Sequence, residues 1–139
     1  MNSLLRDIGY LEDIQTAIAK IGRFTQDQSR EQFLSDDRTQ DAVIRNVEII
    51  GEAVSKLSDD LKTKYPAIPW KDISGMRNRL IHEYNGVNLN IVWNTVQKTL
   101  PEFLVAISLI RSSENDGGGD GSGGGMAGGP PPENDDLSM

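Results

Sequence analysis

The sequence predicts an all-α bundle of four to five helices with a disordered C-terminal tail. Three observations carry that expectation. Apolar residues recur three and four positions apart in four stretches, which is the period of an amphipathic helix. No segment shows a convincing alternation of apolar and polar residues, and no hairpin dipeptide separates two apolar runs. The composition changes abruptly at Ser112: from there on there is no Lys or Arg, nine of the 14 glycines, and the run Pro130-Pro131-Pro132.

The first helix spans roughly residues 3 to 25, on a stripe of Leu4, Ile8, Leu11, Ile14, Ile18 and Ile21. Asp36 or Asp37 reads as the N-cap of the second, whose stripe is Val43, Val47, Ile50, Val54 and Leu57. Ile44 and Ile49 lie off that stripe, so this helix is expected to be central or to meet a second subunit. Gly51 sits inside it, where glycine costs about 1 kcal/mol relative to alanine; a close helix–helix approach would account for it, and a simply tolerated glycine is an equal reading. Pro66 and Pro69 interrupt the pattern. A third helix starts at Trp70 and carries Ile73, Met76, Leu80 and Tyr84, with Gly86 closing it or falling in the turn beyond. Asn88 can cap the last helix, which turns Leu89, Val92, Val96, Leu100, Phe103, Ile107 and Ile110 inward. Pro101 should kink or break it.

Two regions follow: a helical domain over residues 1–111 and an acidic Gly/Pro-rich tail over 112–139. Six of the 21 acids lie in the tail, which leaves fifteen acids against fourteen bases in the domain. The net charge of −7 is therefore mostly the tail's, and it says little against a nucleic-acid substrate for the domain. No broad basic field exists, so such binding needs a local cluster. The tail has almost no apolar content to offset its ordering entropy, so residues 112–139 are expected to be dispensable. The N-terminus meets charges too early for a signal sequence, and no apolar run approaches the ~20 residues of a membrane span. A cytoplasmic protein without membrane contact is expected.

The chain has no cysteine and one histidine, His82. A thiol nucleophile, a disulfide framework, a zinc site of ordinary spacing and a two-histidine acid–base pair within one chain are all excluded. No glycine-rich phosphate loop is present, since the tail glycines follow no strand and precede no helix. No cofactor and no metal are expected. Glu48 and Glu52 share a helix face but read as a solvated or salt-bridged face rather than as metal ligands. Chemistry near neutral pH then depends on the segment Arg77-Asn78-Arg79-Leu80-Ile81-His82-Glu83-Tyr84. In a regular helix Asn78 and His82 share a face, whereas Arg77 and His82 are separated by about 140°. Their convergence needs a helix end near His82 or a second copy of the motif. Taken alone, the segment also fits a surface histidine beside ordinary solvated charges, and Tyr84 also fits a packing residue.

The segment resembles the Arg-x4-His-x-Tyr motif of the HEPN superfamily, and specifically of HepT-like toxins paired with MNT-type minimal nucleotidyltransferases. Tyr10-Leu11-Glu12-Asp13-Ile14, Arg45-Asn46-Val47-Glu48-Ile49-Ile50-Gly51-Glu52-Ala53 and Trp70-Lys71-Asp72-Ile73-Ser74-Gly75-Met76 are similar to that family's helices in the same order, over about residues 3 to 110. The tail is not part of the pattern. The resemblance implies a HEPN-type bundle forming a two-fold dimer and acting as a metal-independent endoribonuclease, the toxin of a toxin–antitoxin pair. It implies Arg77, His82 and Asn78 as catalytic residues and Tyr84 as the hydroxyl that a partner nucleotidyltransferase modifies with AMP. The substrate would be RNA, a tRNA or an mRNA. Arg79 could contact a backbone phosphate or form a salt bridge. The inventory of residues independently favours a dimer, because one histidine per chain supplies one imidazole, and a two-fold axis brings two to one cleft. The competing expectation is a non-catalytic helical module that binds a nucleotidyltransferase or nucleotides. A purely structural dimerisation bundle would explain the apolar stripes but not the motif.

Overall fold

The computed structural model describes residues 3–82 and 86–118. Two long helices form its spine. Helix α1 (Ser3–Thr25) buries Leu11, Ile14, Ala17, Ile18 and Ile21 against Val43, Val47, Ile50 and Val54 of α3 (Asp37–Lys56). Both apolar sets follow the helical period, and each residue taken wholly out of water contributes about 1.5–3 kcal/mol. Asp36 is the N-cap of α3, accepting from the Thr39 N–H at 3.0 Å. The two helices are antiparallel. The buried Asp7 of α1 accepts hydrogen bonds from the backbone N–H and hydroxyl of Ser58, at 2.8 and 2.6 Å, just past the end of α3. Ser58 in turn caps the short α4 (Asp59–Lys64). Between the long helices, α2 (Arg30–Leu34) starts on a capping box of Ser29 and Gln32 and buries Phe33.

The third helix of the sequence expectation is two short ones. Helix α5 (Trp70–Ser74) ends at Gly75, and α6 (Met76–Leu80) resumes at once. The chain then leaves the helix earlier than its apolar stripe suggests. Ile81–His82 (β1) pairs antiparallel with Gly86–Val87 (β2), Ile81 opposite Val87 and His82 opposite Gly86. The Asn88 N–H donates to the Leu80 carbonyl at 2.8 Å and closes the excursion. Gly86 takes φ +79°, a left-handed turn conformation that a side chain would strain. The turn itself and Tyr84 lie outside the described residues.

The last helix begins as α7 (Leu89–Asn94), capped by Asn88. It widens into a five-residue π turn at Thr95–Thr99 and continues as α8 (Leu100–Gly118). The expected break at Pro101 takes this form. The Leu100 N–H reaches back to the Thr95 carbonyl, five residues rather than four, immediately before the residue that has no N–H to give. Leu100, Phe103, Ile107 and Ile110 enter the core, and α8 lies along α1, with Arg111 donating to Gln15 and Glu12.

Helix α8 does not stop at residue 111. It runs through Gly118, and Glu114 is docked. The Tyr65 hydroxyl donates to it at 2.6 Å, and the Lys64 ammonium pairs with it at 2.9 Å. The first seven residues assigned to the tail are thus helical, and residues 119–139 lie outside the described residues. Among the described residues, no helix is long and apolar enough to cross a membrane.

Candidate functional site

Arg77 is placed by a chain of local constraints that begins at Gly51. A Cβ built on Gly51 would lie 3.1 Å from the Ser74 carbonyl oxygen. The bare glycine therefore lets the end of α5 rest on the backbone of α3. Gly75 turns the chain and Met76 plugs the core. Arg77, next along, projects over α3, where its Nε donates to Glu48 Oε2 at 2.7 Å. The pair is open to water, with the Arg77 side chain 49 % and the Glu48 side chain 34 % exposed. Such a pair contributes only about 0–1 kcal/mol to stability. Its consequence is orientation. The Nε edge of the guanidinium is turned to Glu48, and the Nη edge remains to meet an anion bidentately.

The pair lies in a cleft of about 620 Å³ between α1, α3 and the α5–α6 segment. Tyr10 and Asp13 line it from α1. Arg45, Glu48, Ile49, Glu52 and Lys56 line it from α3, and Ser74, Arg77 and Asn78 from the third side. Glu52 is joined to Lys56 at 3.2 Å, so the two carboxylates noticed in the sequence are salt-bridged, as expected. Arg45 has no hydrogen-bond or ion-pair partner among the described residues. It adds a third cation to the cleft wall, beside Arg77 and Lys56.

The motif residues separate in the structure. Arg77 and Asn78 both line the cleft. Arg79 does not: its Nη1 donates to the Asp72 carbonyl at 3.0 Å, tying α6 back to α5. The partner is a backbone oxygen rather than the carboxylate of a salt bridge. The helix ends at Leu80, so the regular face that would have joined Asn78 to His82 does not exist. The helix end near His82 that Arg77 requires does exist, two residues before it. The His82 backbone is held in the ladder opposite Gly86. Tyr84 cannot be placed, lying outside the described residues. Glu48 was missed as a partner of Arg77. It stands 29 residues earlier, and its membership of the Arg45–Glu48–Glu52 face was the only signal available.

The sequence model of the family described as "Ribonuclease HepT-like" matches residues 14–110. A protein of Thermococcus cleftensis named "Probable ribonuclease HepT" is 48% identical over 92 residues, 66% of this chain and 84% of that one. A protein of Methanocaldococcus jannaschii named "Putative RNase" is 43% identical over 101 residues, covering 73% of this chain and 84% of its own. Another of that name, from Caldanaerobacter subterraneus subsp. tengcongensis, is 44% identical over 86 residues, 62% of this chain and 77% of its own. No solved structure gives a significant match. The family match runs from the middle of α1 through the buried end of α8 and includes the Arg77–His82 segment and its Glu48 partner, so this chain belongs to the ribonuclease HepT-like family of HEPN proteins.

Proposed function

We propose that this protein is a metal-independent endoribonuclease that acts as the toxin of a toxin–antitoxin pair. The observation that carries the reading is the Arg77–Glu48 arrangement. It holds a guanidinium with its Nη edge available, on the wall of an open cleft, five residues before the chain's single histidine. Membership of a family named for ribonucleases supports it.

The reaction is transesterification followed by hydrolysis. The His82 imidazole takes the proton of the RNA 2′-hydroxyl, and the 2′-oxygen attacks the adjoining phosphorus. The bond from phosphorus to the 5′-oxygen breaks, and His82 of a second copy protonates that oxygen. The products are a 2′,3′-cyclic phosphate and a 5′-hydroxyl, and water later opens the ring to a 3′-phosphate. Arg77 holds the scissile phosphate and stabilises the charge that builds on its equatorial oxygens. Asn78 beside it donates a further hydrogen bond to the phosphate or orients the imidazole. A two-fold homodimer supplies the second imidazole and the second arginine.

Silencing acts through Tyr84. A partner nucleotidyltransferase of the MNT type adds AMP to its hydroxyl, and the bulky anion two residues past His82 then occupies and repels the path of an RNA phosphate. Expression in a bacterial host tests the reading. Wild type is toxic, His82→Ala is harmless, and Tyr84→Phe is toxic even with the nucleotidyltransferase present. Intact mass should show added AMP on wild type and none on Tyr84→Phe. A Tyr84→Phe protein that is neutralised and modified like wild type contradicts the switch, and toxicity that survives His82→Ala contradicts the chemistry.

A further inference from the structure

The wall that α1 gives the cleft differs in character from the wall that carries Arg77. Tyr10 and Asp13 stand three residues apart on one face of α1, and both line the cleft opposite Ile49 and Ala53 of α3. The Tyr10 ring is half-buried, packed on the core. Asp13 is exposed. Neither side chain has a hydrogen-bond or ion-pair partner among the described residues. An aromatic ring, an apolar floor and a carboxylate without a partner among the described residues thus line the same space as the oriented guanidinium. The volume of about 620 Å³ falls within the range of about 300–1,000 Å³ common for small-molecule sites.

We propose that the Tyr10–Asp13 wall is a nucleobase subsite. It takes the base of a nucleotide next to the phosphate that Arg77 holds, and it favours bases carrying an exocyclic amine. The inference rests on the ribonuclease reading and adds to it a source of sequence preference. A base is flat and has a π face, which suits the Tyr10 ring; stacking on aromatic side chains is the general way proteins hold unpaired bases. An ionised carboxylate only accepts hydrogen bonds. Asp13 can therefore accept from the amine of cytosine, adenine or guanine, as carboxylates do from the cytosine amine in nucleic-acid recognition. Uracil presents two carbonyls and one N–H. Asp13 can accept only from that N–H, which is flanked by both carbonyls, so the hydrogen bond brings a repulsive oxygen against the Asp13 charge and is weaker than one from an exocyclic amine.

The test uses the full chain and a single-stranded RNA pool of randomised sequence, with cleavage positions read by sequencing. Wild type should deplete uracil at one position adjoining the cut. Asp13→Asn, which replaces an acceptor-only group with one that also donates, should restore uracil there severalfold while cleavage continues. Tyr10→Ala should raise KM on the order of tenfold, and Tyr10→Phe, which keeps the ring, should recover most of that loss. If Tyr10→Ala fails to fold, as its core contact permits, the exposed Asp13 variant decides. A cut pool with the same base preference in wild type and Asp13→Asn overturns the subsite and leaves the ribonuclease reading standing. An uncut pool overturns both.

Discussion

Arg77 is an exposed arginine whose value lies in its direction. Its pair with Glu48 adds little stability at a half-exposed site, yet it fixes which edge of the guanidinium meets solvent. Two outcomes follow at this scale. Arg77→Lys keeps the charge and loses the fork, so kcat for RNA cleavage should fall about 10²–10³-fold, as when one transition-state donor is removed, with KM changing much less. Glu48→Gln keeps an acceptor and loses the charge, so Arg77 should wander. We expect kcat to drop roughly ten- to a hundredfold with unchanged helicity by circular dichroism. A Glu48→Gln protein as active as wild type would show that the ion pair is incidental to catalysis.

At the scale of elements, two contacts decide whether the site is assembled. One is Gly51 on Ser74. Gly51→Val places bulk where 3.1 Å is already tight, and overpacking of this kind costs about 1–3 kcal/mol. The melting temperature should fall, and cleavage should fall with it, because α5 and α6 carry Arg77. The other is Glu114 on Tyr65 and Lys64, whose effect depends on pH. The Tyr65 hydrogen bond, then that of Lys64, holds the Glu114 carboxyl below the usual carboxylate range. The Glu114 hydrogen bond raises the Lys64 ammonium. Burial first, then the hydrogen bond to Glu114, raises the Tyr65 phenol. A lowered folded pKa gives stability that is present above the unfolded value and lost as pH falls through the folded one. The raised groups give stability that is present below their unfolded values and lost as pH rises through the folded ones. The latch therefore holds between about pH 4.5 and pH 10. Glu114→Gln should lower the melting temperature at pH 7 and flatten its fall below about pH 4.5. Deleting residues 119–139 should leave the melting temperature unchanged, whereas deleting 112–139 should lower it. Equal melting temperatures for the two deletions would show that the latch contributes nothing.

The same contacts show what could be read from sequence. The stripes of α1, α3 and α8 were legible because one-sided burial imprints a period of 3.6 residues on the chain. So were the caps, at Asn88 and at Asp36 or its neighbour Asp37, while at Gly51 the close approach was one of two equal readings. The ends of elements were not. Leu80 closes α6 although Tyr84 continues its stripe, because the hydrogen bond from Asn88 to Leu80 and the left-handed Gly86 favour a hairpin, and neither has a periodic signature. The boundary at Ser112 followed composition, but one carboxylate with two partners across the bundle extends the helix past it. In the candidate site, the motif segment brings Arg77 and Asn78 to the cleft wall. Glu48, Tyr10 and Asp13 meet them only through the tertiary packing of α1 and α3.

For the whole molecule, the charge is divided between near-neutral residues 1–111 and acidic residues 112–139. The proposed RNA substrate would therefore be held by a few placed cations rather than by a general field. One imidazole per chain makes the proposed reaction a property of two copies. Sedimentation should show a dimer at the concentrations where cleavage is measured, and an active monomer would remove the need for a composite site. The most direct measurement is the chemistry of the cut ends. Full-length protein is incubated with RNA in excess EDTA, and the products are identified by mass spectrometry beside those of His82→Ala. A metal-independent reaction that uses His82 should give 2′,3′-cyclic phosphate and 5′-hydroxyl ends from wild type and a rate lower by about 10²–10⁴-fold from the variant. Cleavage that stops in EDTA and returns with magnesium, or that survives the loss of His82, would contradict it.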